Sequence, residues 1–268
     1  MSYRVIWDNA TGGILLTDSD PAAIQGEVRP VFFEELDLFG FDSEWEYPRV
    51  KEPLLWAVDR RYFYRGRQVA EAKGGGFFEK PQFVFHERGL RLEPLDVPSM
   101  LVRNGPVMDA LVQQAIEFID RTYTEYRPKV DVAVVAFSGG KDSLVVLDLV
   151  QRTLAPDQFV VVFDDTTMEI SSTYEAVQRT QERYPQLKFL TARSSKPASQ
   201  TWREMGPPSR IIRWCCTVHK SAPTLLRLRE HVGKPAVQAL VFDGIRADES
   251  QRRAAYAPVT AGGKHSTQ

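Results

Sequence analysis

The sequence predicts an α/β protein, a parallel, doubly wound sheet preceded by a small β-rich domain. Two nearly continuous β-branched runs, Val130 to Phe137 and Gln158 to Phe163, are typical of strands that are buried on both faces of a sheet. Helical patterns follow them at Asp142 to Arg152 and Ser172 to Tyr184. Before about residue 100 the chain instead shows short alternating runs between glycine and proline turns, which indicates hairpins.

These patterns divide the chain into an accessory domain at 1–103 and an α/β domain at 104–268. Apolar residues between Asn104 and Tyr126 recur every three or four positions, which predicts a helix that links the two. The first domain shows no catalytic pattern, so we interpret it as a lid or partner-docking module, with specific ligand binding as the alternative. The last eight residues, 261–268, break off before a helix that could close the sheet, and we expect the α/β domain to be C-terminally incomplete.

Composition narrows the class of protein and its compartment. Lys and Arg (34) nearly balance Asp and Glu (35), and the net charge of −1 excludes a global basic field, so any DNA contact must use local patches. No apolar run reaches the ~20 residues that span a bilayer, and the N-terminus lacks a signal-peptide pattern, which predicts a cytoplasmic protein without a membrane partner. The two cysteines are adjacent, which favours a reduced compartment and ligand or redox chemistry.

The strongest motif directly follows the first buried strand and precedes a predicted helix. It reads Ser138-Gly139-Gly140-Lys141-Asp142-Ser143. Glycines allow a sharp turn and a close approach to a ligand, and the free N–H groups at a helix start favour an anion. We interpret the motif as a phosphate loop in which Lys141 adds positive charge, Ser138 and Ser143 donate hydrogen bonds, and Asp142 holds Mg²⁺ or orients the loop. The alternative is a tight turn without a ligand.

The motif lacks the four residues between glycines that a Walker loop requires. It resembles the PP-loop of the adenine nucleotide α-hydrolases, which cut ATP between its α and β phosphates and leave AMP on an acceptor. The resemblance implies an adenine nucleotide α-hydrolase-like fold, ATP and Mg²⁺ as cofactors, and Lys141 and Asp142 as catalytic residues. It also implies adenylation rather than phosphoryl transfer.

A second segment closes the next buried strand at Asp164-Asp165-Thr166-Thr167 and is followed by Tyr174. It resembles the Asp-Thr-Gly segment of phosphoadenosine phosphosulfate reductases, with Thr167 in place of the usual glycine. A carboxylate at the carboxyl end of a strand faces the nucleotide crevice, so we expect Asp165 to contact Mg²⁺ or the adenosine. The alternative is a helix-capping or turn aspartate.

A third segment, from Arg213 to Pro223, contains Cys215 and Cys216. It resembles the Arg-x-Cys-(Cys/Thr)-x-x-x-Lys-x-x-Pro stretch of the same family, in whose adenylylsulfate reductase branch the pair ligates a [4Fe–4S] cluster with a later Cys-x-x-Cys. Such a cluster needs four thiolates and this chain has two cysteines, so the pair is at most half of an iron–sulfur site. The alternative is two small apolar core residues. His219 lacks a second metal-like partner at helical spacing and is expected to be structural.

A fourth segment follows the last core strand and contains Gly244 and Arg246. It resembles a Gly-x-Arg-x-x-Glu-Ser-x-x-Arg stretch, and Arg246 is the expected anion contact because a guanidinium offers paired donors. The alternative for Arg246 is a surface arginine without a ligand.

The resemblance implies an ATP pyrophosphatase that activates an acceptor for sulfur transfer. The nearest members are the ATP pyrophosphatases of bacterial DNA phosphorothioation systems, the DndC and SspD proteins, which work beside a cysteine desulfurase. Expected partners are therefore ATP, a sulfur donor such as a cysteine desulfurase, and DNA. Two alternatives remain: a phosphoadenosine phosphosulfate or adenylylsulfate reductase, whose Glu-Cys-Gly-x-His tail is absent here, and a nucleotide-binding subunit without turnover.

Overall fold

The computed structural model describes residues 3–18, 20–76, 79–209, 211–246 and 251–260. The chain divides into two compact units between Leu111 and Val112, and each unit has its own sheet. The domain boundary placed after residue 103 stays a prediction.

Unit 1 contains two antiparallel sheets. β1 (Arg4–Asp8) and β2 (Gly13–Thr17) form a hairpin. The other sheet has the order β3-β4-β5-β6-β7, with β3 (Val28–Val31), β4 (Leu55–Val58), β5 (Arg61–Tyr64), β6 (Arg67–Lys73) and β7 (Gln82–Phe85). A short helix, α1 (Phe33–Leu38), follows β3. The β-rich character expected from the hairpin pattern is therefore present in this unit.

An aromatic cluster forms the core of unit 1. Phe41 is fully buried and makes edge contacts with Trp45 at 5.0 Å and with Phe83 at 4.7 Å between ring centroids. Aromatic rings bury a large apolar area and add a further ~0.5–1.5 kcal/mol per well-oriented pair. These aromatic contacts therefore contribute to the hydrophobic core that stabilises unit 1.

Helix α2 (Val97–Tyr126) starts seven residues earlier than the apolar periodicity predicted. The start is set by Asp96, whose carboxylate accepts a hydrogen bond from the N–H of Ser99 at 3.1 Å. The Gly105-Pro106 pair, which in sequence indicates a helix start or a break, lies inside the continuous helix. The tendency of glycine and proline to break a helix is overridden here, since tertiary packing dominates the stability of most helices.

Unit 2 is built on four parallel strands in the order β10-β9-β8-β11. The strands are β8 (Val132–Phe137), β9 (Val160–Asp165), β10 (Phe189–Arg193) and β11 (Ala239–Phe242). Alternate residues of each strand point to opposite faces, and both faces are buried beneath helices. The predicted parallel, doubly wound sheet is confirmed.

The helices of unit 2 form the outer layers. They are α3 (Lys141–Thr153), α4 (Ser171–Arg183), α5 (Ala198–Met205), α6 (Trp214–Cys216), α7 (Ala222–Val232) and α8 (Gln251–Ala254). Residues of α2, α3 and α4 pack on one face of the sheet, around Val135 and Val161. Leu228 of α7 packs on the other face, against Val134 and Val162 among others. The sheet is therefore held between two apolar layers, one on each face.

A π-helical segment, Thr217–Ser221, joins α6 to α7 without a break. Pro223 explains it, since a proline lacks an N–H and its ring clashes with the carbonyl four residues earlier, here that of His219. Widening the turn relieves that clash. Such segments are frequent at functional sites.

The strand order of the sheet reverses at β8. After β8 it adds β9 and β10 on one side, and then returns to place β11 on the other side of β8. The carboxyl ends of β8 and β11 therefore flank the switch point, where open parallel sheets bind their ligands. Among the described residues, no helix combines the length and the apolar character that crossing a membrane requires.

Candidate nucleotide site

The predicted phosphate loop lies at the switch point. Ser138 follows β8 directly, and α3 begins at Lys141 with Gly140 as its N-cap residue. No side chain caps this helix start, so its first N–H groups are available to an anion. The arrangement is the strand, loop and helix that the motif predicted.

The loop is held in shape from inside by Ser143, a buried residue with an exposed fraction of 6%. Its hydroxyl oxygen accepts a hydrogen bond from the N–H of Ser138 at 3.2 Å and lies 3.1 Å from the hydroxyl of Ser138. The same hydroxyl contacts the carbonyl oxygen of Gly140 at 3.0 Å. Ser143 is therefore positioned to fix the turn, whereas Ser138 is exposed and can reach a ligand.

Gly139 is required by both conformation and space. Its φ of +76° lies in the left-handed region that side chains other than glycine disfavour. A Cβ atom at this position would lie 3.1 Å from the Thr173 methyl group and 3.2 Å from a Val177 methyl group, both on α4. The loop thus packs closely against α4, and a larger residue at position 139 would not fit.

The segment after β11 closes the other side of the loop. A Cβ atom on Gly244 would lie 3.0 Å from the carbonyl oxygen of Asp142, so only glycine lets the two backbones come this close. The Arg246 Nε atom lies 3.8 Å from an Asp142 carboxylate oxygen. The structure therefore brings together the loop, Gly244 and Arg246, as the motifs predicted. Residues 247–250 of that motif lie outside the described residues.

Charges at the loop are arranged to accept an anion. Lys141 is exposed and makes no ion pair with any residue that the structure describes. Asp142 is partly exposed and faces Arg246. A free lysine beside an uncapped helix start provides positive potential for a phosphate, and the adjacent carboxylate can accept a hydrated cation.

Asp165 is placed at the same edge of the sheet but is already engaged. Its carboxylate is 2% exposed and accepts hydrogen bonds from Arg193 Nε at 2.8 Å, from the Tyr174 hydroxyl at 2.9 Å and from the Thr167 N–H at 2.9 Å. Burial raises the pKa of Asp165, but these hydrogen bonds outweigh it and hold the pKa below its ordinary value. Because both carboxylate oxygens have partners, Asp165 is better suited to hold this corner together than to bind Mg²⁺.

Asp164, which points to the opposite face of the sheet, was not singled out by the sequence. Burial raises its pKa, while the Thr224 hydroxyl, which donates a hydrogen bond to it, and the nearby charge of Lys220 lower it in part. Lys220 is exposed and belongs to the motif that contains the cysteines. A partly desolvated carboxylate therefore lies beside a motif lysine at the ligand edge.

Cys215 and Cys216 are half-buried free thiols on α6, directly before the π-helical segment. Within the part of the chain that the structure describes, no third cysteine, histidine or carboxylate joins them to form a group able to hold a metal. The half of an iron–sulfur site therefore stays a prediction. His219 is buried, in agreement with the structural role expected for it.

Sequence reasoning missed Arg193 and Thr224, which bind the two adjacent aspartates from distant positions. Arg193 could have been found, because it is the last residue of β10 and the carboxyl ends of parallel strands share one edge. Thr224 had no such signal, since it lies inside the first turn of α7.

A shallow cavity also occurs at the opposite edge of the sheet. Residues lining it include Arg127, Asp131, Asp157 and His231, at the amino ends of β8 and β9. Open parallel sheets bind nucleotides at the carboxyl edge, where the glycine loop lies. We therefore place the candidate site at the loop.

The doubly wound sheet and its glycine loop at the switch point define an α/β protein of the PP-loop, nucleotide-binding class. The sequence profile of the phosphoadenosine phosphosulfate reductase domain matches residues 132–266, about half of the chain. The chain belongs to this family.

Relatives include the uncharacterized protein MJ0066 of Methanocaldococcus jannaschii, which is 36% identical over 155 residues, 58% of this chain and 30% of that protein. An adenosine 5'-phosphosulfate reductase of Lysinibacillus sphaericus is 27% identical over 148 residues, 54% of this chain and 58% of the reductase. This chain therefore spans less than two thirds of either relative.

Two solved structures show distant similarity. An NH3-dependent NAD synthetase of Campylobacter jejuni has a TM-score of 0.39 at 14% identity, covering 53% of this chain and 58% of the synthetase. A phosphoadenylyl-sulfate reductase of Candida auris has a TM-score of 0.30 at 19% identity, covering 41% of this chain and 52% of the reductase. The narrower likeness to the phosphorothioation ATP pyrophosphatases stays a prediction.

Proposed function

We propose that this chain is an ATP pyrophosphatase, which cleaves ATP to AMP and pyrophosphate in order to activate an acceptor for sulfur transfer. The observation that supports it is the loop at the switch point. Exposed Lys141, which has no ion pair within the described part of the chain, is the first residue of an uncapped helix there, and Gly244 lies against Asp142. Such an arrangement favours a group with several negative charges, as a triphosphate has.

The residues of the loop divide the work of binding and cleavage. The N–H groups at the start of α3 and the Ser138 hydroxyl donate hydrogen bonds to phosphate oxygens. Lys141 offsets the charge that develops on departing pyrophosphate. An acceptor oxygen attacks the α phosphorus, the bond between that phosphorus and the oxygen bridging to the β phosphorus breaks, and pyrophosphate carries the electron pair away.

Asp142 fits the Mg²⁺ that such chemistry requires better than Asp165 does. Its carboxylate is partly exposed at the loop, whereas both oxygens of Asp165 are engaged. Mg²⁺ is commonly held by one or two carboxylates together with substrate phosphates, and bound there it supplies charge neutralisation of the phosphates. Arg246, near Asp142, is positioned to contact a second phosphate or an anionic acceptor.

The sulfur-transfer half of the proposal concerns the fate of the adenylated acceptor. The terminal sulfur of a persulfide attacks the adenylated centre of the acceptor and displaces AMP, which leaves with the acceptor oxygen. A second thiol then cleaves the S–S bond, so that one sulfur atom replaces oxygen on the acceptor and a disulfide is left on the donor side. We propose the DNA backbone as acceptor and a cysteine desulfurase as the source of sulfur. With a net charge of −1, DNA contact would depend on local patches and on partner subunits.

An iron–sulfur cluster is not part of this mechanism. Four thiolates are normally needed, and these 268 residues contain two cysteines. The donor set does not fit an intact cluster, and no step is assigned to one.

A second candidate function is reduction of adenosine 5'-phosphosulfate or its 3'-phosphorylated form. It is favoured by the reductases among the relatives, such as that of Bacillus subtilis, which is 31% identical over 127 residues, 46% of this chain and 50% of the reductase. In that reaction the same loop would bind a nucleotide without cleaving ATP. A third candidate, a nucleotide-binding subunit without turnover, uses the same loop.

One experiment separates the three functions. The protein is incubated with ATP and Mg²⁺, with and without DNA, and pyrophosphate and AMP are measured. Pyrophosphate release that is lost in Lys141→Ala but kept in Lys188→Ala at the opposite edge supports the pyrophosphatase; without a sulfur donor, AMP stays on the acceptor or is released by hydrolysis. In a parallel incubation with a phosphosulfate and reduced thioredoxin, sulfite release identifies the reductase, and ATP that is bound but unaltered, without sulfite release, identifies a subunit without turnover.

A further inference from the structure

Thr167 has an unfavourable backbone conformation. Its φ is +62°, in the left-handed region where the branched Cβ of threonine is crowded by the backbone. The turn is held by the Thr167 N–H, which donates to the Asp165 carboxylate at 2.9 Å. A glycine would adopt this φ without strain. The hydroxyl of Thr167 provides a hydrogen-bonding group that a glycine lacks.

The hydroxyl of Thr167 caps a helix 31 residues later in the chain. Its oxygen accepts a hydrogen bond from the N–H of Ala198, the first residue of α5, at 2.8 Å. The residue before this helix is Pro197, whose side chain cannot act as a cap. Thr167 therefore fixes the start of α5 to the turn that follows β9.

Thr201, one turn further along α5, extends this connection to the segment that contains the cysteines. It is 3% exposed, and its hydroxyl lies 2.9 Å from the Ala198 carbonyl oxygen and 2.8 Å from His219 Nε2. His219 is also 3% exposed and lies in the π-helical segment that follows Cys215 and Cys216. This contact joins α5 to that segment.

The protonation of this pair follows from its partners. Thr201 has one hydroxyl proton, and donating it to the Ala198 carbonyl leaves the oxygen free to accept from His219 Nε2–H. His219 Nδ1 is buried and has no partner among the described residues. Folded proteins leave a buried acceptor without a partner more often than a buried N–H. We therefore assign the proton to Nε2, which makes Nδ1 the unpartnered acceptor.

We propose that Thr167, Thr201 and His219 form a positioning chain that fixes the Cys215–Cys216 turn to the nucleotide edge of the sheet. None of the three needs to touch a substrate. This positioning chain holds the π-helical segment in one place, and it thereby also holds the two thiols on the preceding turn. The inference is independent of the proposed function, because it concerns the accessibility of thiols in the folded protein.

The test is the rate at which iodoacetamide alkylates Cys215 and Cys216 in the native 268-residue chain, followed by peptide mass spectrometry. Thr201→Val keeps the shape of the side chain but removes the hydroxyl, and we expect alkylation to accelerate by about tenfold or more, as the cost of losing a buried hydrogen bond implies. Thr201→Ser should restore the slow rate. Thr167→Gly should also accelerate alkylation, and Thr167→Ser should not.

Thr180→Val is the matched control. Thr180 is likewise buried, and its hydroxyl donates to the Ala176 carbonyl at 2.7 Å inside α4, away from the cysteines. Global unfolding would expose the thiols in any destabilised variant, so each rate is compared at equal free energy of unfolding, measured with urea. The proposal is overturned by unchanged alkylation in Thr201→Val and Thr167→Gly, or by an equal acceleration in Thr180→Val.

Discussion

Gly244 lies so close to Asp142 that a Cβ atom on the glycine would be 3.0 Å from the aspartate carbonyl oxygen. The contact joins the turn after β11 to the first turn of α3, two elements about a hundred residues apart in sequence. A backbone atom cannot swing away as the end of a flexible side chain can. The width of the nucleotide site is therefore set at this point.

Gly244→Ala should weaken nucleotide binding because the backbones of the two segments must separate. Overpacking of this kind costs about 1–3 kcal/mol, and we expect a loss of roughly tenfold or more in ATP affinity by calorimetry. Gly105→Ala is the control, since Gly105 lies in a helix with open space around it and should tolerate a methyl group. Equal affinities for Gly244→Ala and the unmodified protein would show that this contact does not shape the site.

Ser143→Ala should loosen the loop from within. Its buried hydroxyl accepts from the Ser138 N–H, so removing it leaves this N–H without its acceptor at a cost of about 1–2 kcal/mol. We expect a lower free energy of unfolding and weaker ATP binding together. Ser171→Ala, at the exposed start of α4, is the comparison and should change neither. Unaltered urea unfolding of Ser143→Ala would contradict this assignment.

Asp165→Asn should destabilise the protein by about 2 kcal/mol at neutral pH, because it removes charge-assisted hydrogen bonds from Arg193 and Tyr174. The pKa of Asp165 lies below its ordinary value in the folded state. Its stabilisation is therefore present above the ordinary pKa and is lost as pH falls through the lowered one. Urea unfolding at several pH values should show the variant and the unmodified protein converging in acid.

Asp37→Asn provides the control for that experiment. Asp37 also pairs with an arginine, Arg49, but on the surface, where water screens the interaction. We expect a much smaller loss of stability than in Asp165→Asn. Equal losses in the two variants would refute the special role assigned to the buried carboxylate.

Asp164 should give the opposite pH dependence. Burial raises its pKa in the folded state, so folding favours the protonated carboxyl and its contribution to stability declines as pH rises from the ordinary pKa through the raised one. Asp164→Asn keeps an acceptor for the Thr224 hydroxyl and should remove this decline, so the variant should be more stable than the unmodified protein at neutral pH. Exposed Asp157→Asn should leave the decline in place. If the free energy of unfolding of Asp164→Asn declined with pH as steeply as that of the unmodified protein, the prediction would be wrong.

Much of unit 2 follows from local sequence. The runs that became β8 and β9 are β-branched and apolar, and the loop between β8 and α3 has a glycine, Gly139, at the position where the turn requires one. The predicted end of β8 at Phe137 is correct, but both strands start two residues later than predicted and β9 also ends two residues later, since hydrogen bonding between neighbouring strands decides where a strand starts and stops. In unit 1, the hairpin pattern did not indicate that the chain leaves β3 at Val31 and starts a helix, α1, at Phe33.

The sequence by itself determined the α/β class, the position of the phosphate loop and the membership of a family, because β-branched runs, glycine turns and helix starts are local signals. Only the tertiary structure decided which polar groups meet. Asp165 and Arg193 are 28 residues apart, Thr167 and Ala198 are 31 apart, and Asp164 and Thr224 are 60 apart. Such pairs depend on how parallel strands and their helices stack at one edge, and apart from the position of Arg193 at the end of a strand no local pattern indicates them.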